Sequence, residues 1–414
     1  MNRLAFGLVV LACAMLIIMP AVAADYTLGI FGNANMDDTI DEDDISYVEG
    51  IIDGTSEETQ LADANYDGTI DEDDIAQIEQ IIQGDEKELT IVDSADRIVT
   101  VKKPIERIVT THSHHIETMR AIQLDMDKIV GVATWTLNMK LFFPEFSEEQ
   151  NIGGSDYDIE KILRLQPDIV MIYTSTSHLI NDFANKLESL GITVVYIDCY
   201  KHDNYIEEIR TLGYILNKKD EAEEFIDFYE EKVDIIKERV EGIREEDRPK
   251  VFLLRSSEGY KTLGGGSSYI YDIEMAGGNT IFGDNPDNNI EVDPEAVIDR
   301  DPDIILIHIS PFGAYSTTDI AELSNLRDEI MNRQELANVT AVKNGDVYVL
   351  GSYFLGKPSR FVGLAYMGKW FYPELFEDLD PVAIHQEYLD KFHKTLNLDV
   401  YKDAVFVYPP LEVS

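Results

Sequence analysis

The chain is poor in cysteine, in basic residues and in long apolar stretches, and each shortage narrows what it can be. Two cysteines occur in 414 residues. Cys13 lies in an apolar leader, so once the leader is removed only Cys199 remains and no intrachain disulfide forms. Lysine and arginine number 34 against 79 aspartates and glutamates, a formal charge of -45. Such a surface repels polynucleotides and anionic headgroups, which excludes a nucleic-acid partner, and it suits a saline exterior or metal cations. Beyond the first two dozen residues no apolar run is long enough to span a bilayer. Catalytic signatures are missing as well: no nucleophile elbow, no His-Glu-x-x-His, no carboxylate pair on facing strand ends. Gly264-Gly265-Gly266-Ser267-Ser268 lacks the lysine and following hydroxyl of a phosphate loop and reads as a flexible turn. The chain is therefore expected not to be an enzyme. Its 44% hydrophobic content is ordinary for globular proteins, and its length allows two or three folded units.

The start of the chain is a targeting segment. Arg3 precedes an apolar run over residues 4–19, then Pro20 and Ala21-Val22-Ala23, the layout of a secretory signal with cleavage expected near Ala23. Export to an extracytoplasmic space follows, either after cleavage or with the run kept as an anchor.

Next comes an internal repeat. Asn33, Asn35, Asp37, Thr39, Asp41 and Asp44 recur thirty residues on, by pattern, as Asp63, Asn65, Asp67, Thr69, Asp71 and Asp74. Oxygen ligands at loop positions 1, 3, 5, 7, 9 and 12, with Gly68 at position 6, make the pattern that wraps calcium. The first copy has Asn33 for Asp and Asp38 for Gly, so the second loop is expected to bind more strongly. Each loop leads into apolar residues at helical spacing, Ile45, Val48, Ile51 and Ile52, then Ile75, Ile78, Ile81 and Ile82. Two loop-helix units over residues 25–86 resemble a dockerin domain, which implies two bound calcium ions and a cohesin domain as partner.

From Leu89 the pattern becomes apolar strands separated by amphipathic helices. Leu89-Thr90-Ile91-Val92 and Arg97-Ile98-Val99-Thr100-Val101 read as a hairpin. Ile169-Val170-Met171-Ile172 and Val194-Val195-Tyr196-Ile197 are continuous apolar runs of the kind found in a parallel sheet covered on both faces. A second series contains Val251-Phe252-Leu253-Leu254, Ile304-Ile305-Leu306-Ile307 and Val347-Tyr348-Val349-Leu350. Between the two series, residues 218–247 read as one long helix carrying Phe225, Ile226, Phe228, Tyr229, Val233, Ile236 and Val240. The expected fold is α/β: a small all-α module, a lobe over 87–217, the linking helix, and a lobe over 248–414. No role follows for the tail after Asp380.

This layout resembles the helix-linked class of periplasmic solute-binding proteins. The resemblance is carried by Arg107-Ile108-Val109, Ile129-Val130-Gly131-Val132, Ile152-Gly153-Gly154, the run from Ile159-Glu160-Lys161-Ile162 to Gln166-Pro167-Asp168-Ile169-Val170, Met275-Ala276-Gly277-Gly278-Asn279, Asp301-Pro302-Asp303, and Lys343-Asn344-Gly345-Asp346-Val347. It implies capture of a metal chelate (iron-siderophore, haem or cobalamin) for an ABC permease and its ATPase. Glu160 and Glu295, one per lobe, match the class's glutamates that dock the permease.

Ligands of open α/β sheets bind beyond the carboxyl ends of the strands. That places the expected ligand residues in loops facing across a cleft. His112, His114 and His115 are candidates to touch the chelate or a bare transition metal. Trp135, Tyr157, Tyr353 and Phe354 are candidates to pack on it, and Arg255 and Arg360 to meet its carboxylates. The rival readings are a dockerin-bearing cell-surface scaffold or adhesion protein, a bare-metal binder, and an extracellular hydrolase.

Overall fold

The computed structural model describes residues 26–154, 156–174, 177–309, 315 and 317–411, with residues 177–181 described by backbone alone. The leader lies outside these residues. Among the described residues no helix is long and apolar enough to cross a membrane.

The N-terminal module is two loop-helix units, α1 (Glu42–Ile52) and α2 (Glu72–Gln83). Asp41 and Asp71 cap them, each within a reciprocal capping box closed by Asp44 or Asp74. The acidic first turns complement the positive ends of the helix dipoles. Val48, Ile78 and Ile81 face inward. The module is fused to a hairpin of β1 (Glu88–Val92) and β2 (Ile98–Lys102), the expected pairing, through Phe31 N–H to Thr90 O and Val92 N–H to Gly29 O.

The first lobe follows: β3 (Ile108–Thr110), α3 (Ser113–Ala121), β4 (Ile129–Val132), α4 (Ile159–Leu165), β5 (Ile169–Ile172), α5 (Ser177–Ser189), β6 (Thr193–Tyr196) and α6 (Tyr205–Leu216). Its sheet is parallel throughout, in the order β4-β3-β5-β6. Helix α7 (Lys219–Val240) then links the lobes. At 22 residues it is about 33 Å long. It is shorter than the expected 218–247. Gly242 loosens the end, Arg248 is held extended before Pro249, and acids 245–247 oppose the negative end of the dipole.

The second lobe comprises β7 (Lys250–Leu254), β8 (Lys261–Thr262), α8 (Ser268–Met275), β9 (Asn279–Thr280), β10 (Ile290–Glu291), α9 (Pro294–Arg300), β11 (Ile304–Ile307), α10 (Ile320–Met331), α11 (Thr340–Asn344), β12 (Val347–Leu350), α12 (Arg360–Phe371), α13 (Pro381–Phe392) and β13 (Val407–Tyr408). Its main sheet runs β13-β12-β11-β7-β9, parallel except for β13. The tail that the sequence left without a role thus supplies α13 and an edge strand.

The two lobes repeat one device. Asp168 accepts the N–H groups of Glu106 and Arg107 at 2.8 Å ahead of β3, and Asp303 accepts Lys250 N–H at 2.8 Å at the start of β7. The repeated Pro-Asp pairs therefore tie each helix-to-strand turn to the strand beside it. One apolar core runs through the module, α7 and both lobes.

Candidate functional site

The carboxyl ends of the two parallel sheets face each other across a cavity of about 910 Å³. Its first-lobe wall is aromatic. His112 caps α3, its Nδ1 accepting His114 N–H, so the ring is fixed by the helix it starts. His112 stacks on Tyr173 at 4.3 Å between ring centres, and Tyr173 stacks on Tyr200 at 5.1 Å. His114 meets His112 edge-on at 4.1 Å. Burial holds both imidazoles well below their ordinary pKa, and the nearby Lys357 charge adds to this, so both are neutral.

The second-lobe wall is cationic. Lys357 Nζ lies 2.9 Å from His114 Nε2. An ammonium can only donate, so His114 carries its proton on Nδ1. Arg255 donates to His308 O at 2.8 Å and lies over the Tyr269 ring at 4.6 Å. Burial lowers its pKa. Among the described residues neither Lys357 nor Arg255 has a carboxylate partner, although acids outnumber bases more than twofold. His202 and Tyr271 stack across the two lobes at 3.2 Å, beside the cavity.

Of the expected ligand residues, the structure brings His112, His114 and Arg255 to the cavity wall. His115 is turned away: Nδ1 meets Thr110 Oγ1 at 2.6 Å and Nε2 meets Ile197 O at 2.7 Å, bracing β3 against the end of β6. Burial pushes its pKa down to about 4. Arg360 is also displaced. It is fully buried, with Nη1 3.0 Å from Asp272 Oδ1, and Asp272 accepts Gly356 N–H in turn. The pair pins the loop that carries Lys357 instead of meeting a ligand. Tyr353 donates to Glu117 at 2.6 Å, and Phe354 packs in the core against His385 and Phe406. Trp135 and Tyr157 form an edge-to-face pair at 6.2 Å behind His112, outside the cavity lining. Burial raises the Tyr157 hydroxyl to about 12. Ser155, residues 175–176 and residues 310–312, which the strand-end rule also places at the cleft, lie outside the described residues.

Sequence reasoning missed Tyr173, Tyr200, His202, Tyr269, Tyr271 and Lys357. Tyr173 is the first residue beyond β5, so the strand-end rule pointed to it. The loop after β6 and the part of the 351–359 loop beyond Phe354 follow from the same rule and were passed over.

Glu160 and Glu295 occupy matching places. Each is the second residue of a seven-residue helix behind an aspartate cap, Asp158 or Asp293, and each is exposed.

The two N-terminal loops match closely in their hydrogen bonds. Asp44 and Asp74 are buried, each accepting N–H groups of Asn35 and Asp41, or of Asn65 and Asp71. Asp37 N–H meets the oxygens of Asn33 and Asn35, Asp67 N–H those of Asp63 and Asn65, and Thr39 and Thr69 donate to Asp37 and Asp67. Burial pushes Asp44 up to about 6 and raises Asp74. The loops differ at position 6: Gly68 has a φ of 92°, while Asp38 is ion-paired with Arg210 of α6. Among the described residues no three His, Cys, Asp or Glu side chains converge to hold a metal ion.

Residues 108–354, well over half the chain, match the model of a periplasmic binding protein. An uncharacterized ABC transporter substrate-binding lipoprotein, YvrC of Bacillus subtilis, is 23% identical over 297 residues, covering 70% of this chain and 87% of the relative. The molybdate-binding protein MolA of Haemophilus influenzae is 23% identical, covering 74% and 91%. Among solved structures, the TroA-like periplasmic binding protein FepB of Veillonella parvula superposes with a TM-score of 0.67 at 26% identity, covering 77% of this chain and 98% of that one. The N-terminal module precedes the matched residues. By these matches and by its two parallel-sheet lobes linked by α7, the chain belongs to the periplasmic binding protein family, as a non-enzymatic substrate-binding component of an ABC transporter that acts outside the cytoplasm.

Proposed function

We propose that the cleft captures an anionic metal chelate, a ferric siderophore in preference to haem or cobalamin, and delivers it to an ABC import permease and its ATPase. The observation that carries this reading is the pair of cations, Arg255 and Lys357, that face the cavity without acid partners in a chain of charge -45. A half-buried cation without an ion-pair partner is costly, and an anionic ligand supplies that partner. Rings beside them give the apolar parts of a bulky chelate a surface to pack on, and about 910 Å³ is ample for a siderophore-sized ligand. The same geometry disfavours a bare transition metal, because Lys357 already holds the Nε2 lone pair of His114. Glu160 and Glu295 are the proposed contacts with the permease, their matching helix positions presenting one carboxylate per lobe. MolA binds molybdate, so an oxyanion belongs in the same test.

The test is a fluorescence titration of the exported chain with a ferric-siderophore panel, haemin, cobalamin and molybdate, repeated on Arg255→Ala and Lys357→Ala. Saturable quenching by an anionic ferric chelate, weakened in both variants, supports the reading. Binding of cobalamin alone, unchanged in both variants, overturns it.

We propose also that the second N-terminal loop takes calcium. Asp63, Asn65, Asp67, Thr69, Asp71 and Asp74 would hold it, and the raised pKa of buried Asp74 is what a neighbouring cation would relieve. The first loop is the weaker candidate, since Asp38 is engaged by Arg210. A cohesin domain is the partner that the dockerin resemblance implies for this module. A rise in melting temperature with added calcium, lost in Asp67→Ala, is the expected result. Identical melting with calcium and with chelator would remove the calcium reading.

A further inference from the structure

The lobes are tied together away from the cavity by contacts that centre on one buried carboxylate. Glu117 lies on α3 of the first lobe and is fully buried. Its Oε2 accepts the Tyr353 hydroxyl at 2.6 Å and its Oε1 accepts the Tyr388 hydroxyl at 2.9 Å. Tyr353 stands on the loop after β12, and Tyr388 on α13, so both donors come from the far side of the lobe boundary. Around them Phe142 of the first lobe stacks on Tyr315 at 4.2 Å and meets Tyr353 edge-on at 5.2 Å. Helix α13 is in turn strapped along α7. Glu387 pairs with Lys232 at 3.0 Å, Lys391 approaches Glu224 at 3.7 Å, and Phe392 packs on Phe225 and Phe228.

The two elements that meet at Glu117 are the two that meet in the cleft. His114 and Glu117 are three residues apart on α3, one turn of the same helix face. Tyr353 and Lys357 share the loop that Arg360 and Asp272 pin from behind. The spacing of His114 and Lys357 across the cavity is therefore fixed by the same bodies that the carboxylate joins.

We propose that Glu117, Tyr353 and Tyr388 form a latch that sets the resting separation of the lobes, with α13 as a second tie beside the linking helix. Glu117 is a positioning residue: it touches no ligand and acts through α3 and the 351–359 loop. Opening the cleft requires withdrawing a buried carboxylate from both of its donors, which confines lobe motion more than one continuous helix would. The titratable and charged groups facing Glu117 are Lys357 and Tyr353 from the loop, Tyr388 from α13, Tyr315, Cys199 from the loop after β6 and Tyr205 from the start of α6. The functional side of this inference rests on reading the cleft as the ligand site; its test does not.

Spin labels on Arg164→Cys and Asp299→Cys, exposed on the outer helices α4 and α9, report the distance between the lobes by pulsed electron resonance. Cys199 is buried and takes no label. The measurement is made on ligand-free exported chain, so it stands whatever the cleft binds. The expected result is one narrow distance distribution, which broadens or lengthens by several ångströms in Tyr353→Phe/Tyr388→Phe and to a lesser degree in Tyr388→Phe alone. The single variant keeps the ring and so preserves packing should the double variant fold poorly. An unchanged narrow distribution in Tyr388→Phe and in the folded double variant would overturn the latch.

Discussion

The two lobes share a plan and differ in what they place at the cleft. Both start from strands tied by a Pro-Asp turn, and both present a capped seven-residue helix with a glutamate at its second position. At the strand ends they part. The first lobe offers neutral rings, His112, His114, Tyr173 and Tyr200, packed on one another. The second offers cations, Arg255 and Lys357, without acid partners. A repeated scaffold can diverge in this way because strand-end loops bear little of the core, so their side chains are free to specialise.

The sharpest way to break the contrast is to remove the support of the cationic wall. Arg360→Met leaves Asp272 buried and unpaired, and breaking such a pair costs about 3–5 kcal/mol. Urea unfolding is expected to show that loss, with ligand binding weakened as the Lys357 loop is released. Stability unchanged in the variant would mean that the pair holds nothing.

The boundary between the lobes gives the next effect, through pH. Burial raises Glu117 to about 7. Between its unfolded value near 4.5 and 7 the native state keeps a proton that the unfolded chain has released. The contribution of Glu117 is therefore present at low pH and is lost as pH rises through 7, by up to about 3 kcal/mol. Buried His115 and His385, lowered to about 4 and about 3, act in the opposite direction and are common to both proteins. Glu117→Gln should gain on the unaltered chain as pH is raised from 4.5 to 7 in parallel melting series. Profiles that stay parallel would contradict the assignment.

Within the cleft, Arg255→Ala is expected to weaken an anionic ligand by about 2 kcal/mol, some 30-fold, the worth of a charge-assisted contact. Calorimetry reads it directly. The smallest effect belongs to the ring wall: Tyr200→Ala removes a stacked partner of Tyr173, about 1 kcal/mol or fivefold in affinity. If the ring variant proved the more damaging of the two, the cations would not be the principal recognition groups.

Much of the fold was legible because strands of a covered parallel sheet are apolar without interruption and the Pro-Asp turns repeat. The end of α7 was not, since a charged run after a helix looks helical until the dipole and Pro249 are weighed together. In the site, His112, His114 and Arg255 were legible by adjacency to strand ends. The direction in which a side chain turns was not. Arg360 looks like a ligand arginine until Asp272, 88 residues earlier, is seen beside it, and His115 looks like His114 until Ile197 O takes its second nitrogen. Tyr353 was placed in the cleft for the same reason, its partner Glu117 lying in the other lobe.

The central claim is that the cleft recognises negative charge between rings and cations. Calorimetric titration of one anionic ferric siderophore at low and at high salt, beside an uncharged analogue of the same size, tests it most directly. The expected result is tight binding of the anion that weakens as salt rises, and much weaker binding of the analogue. Equal, salt-independent affinity for both would contradict it.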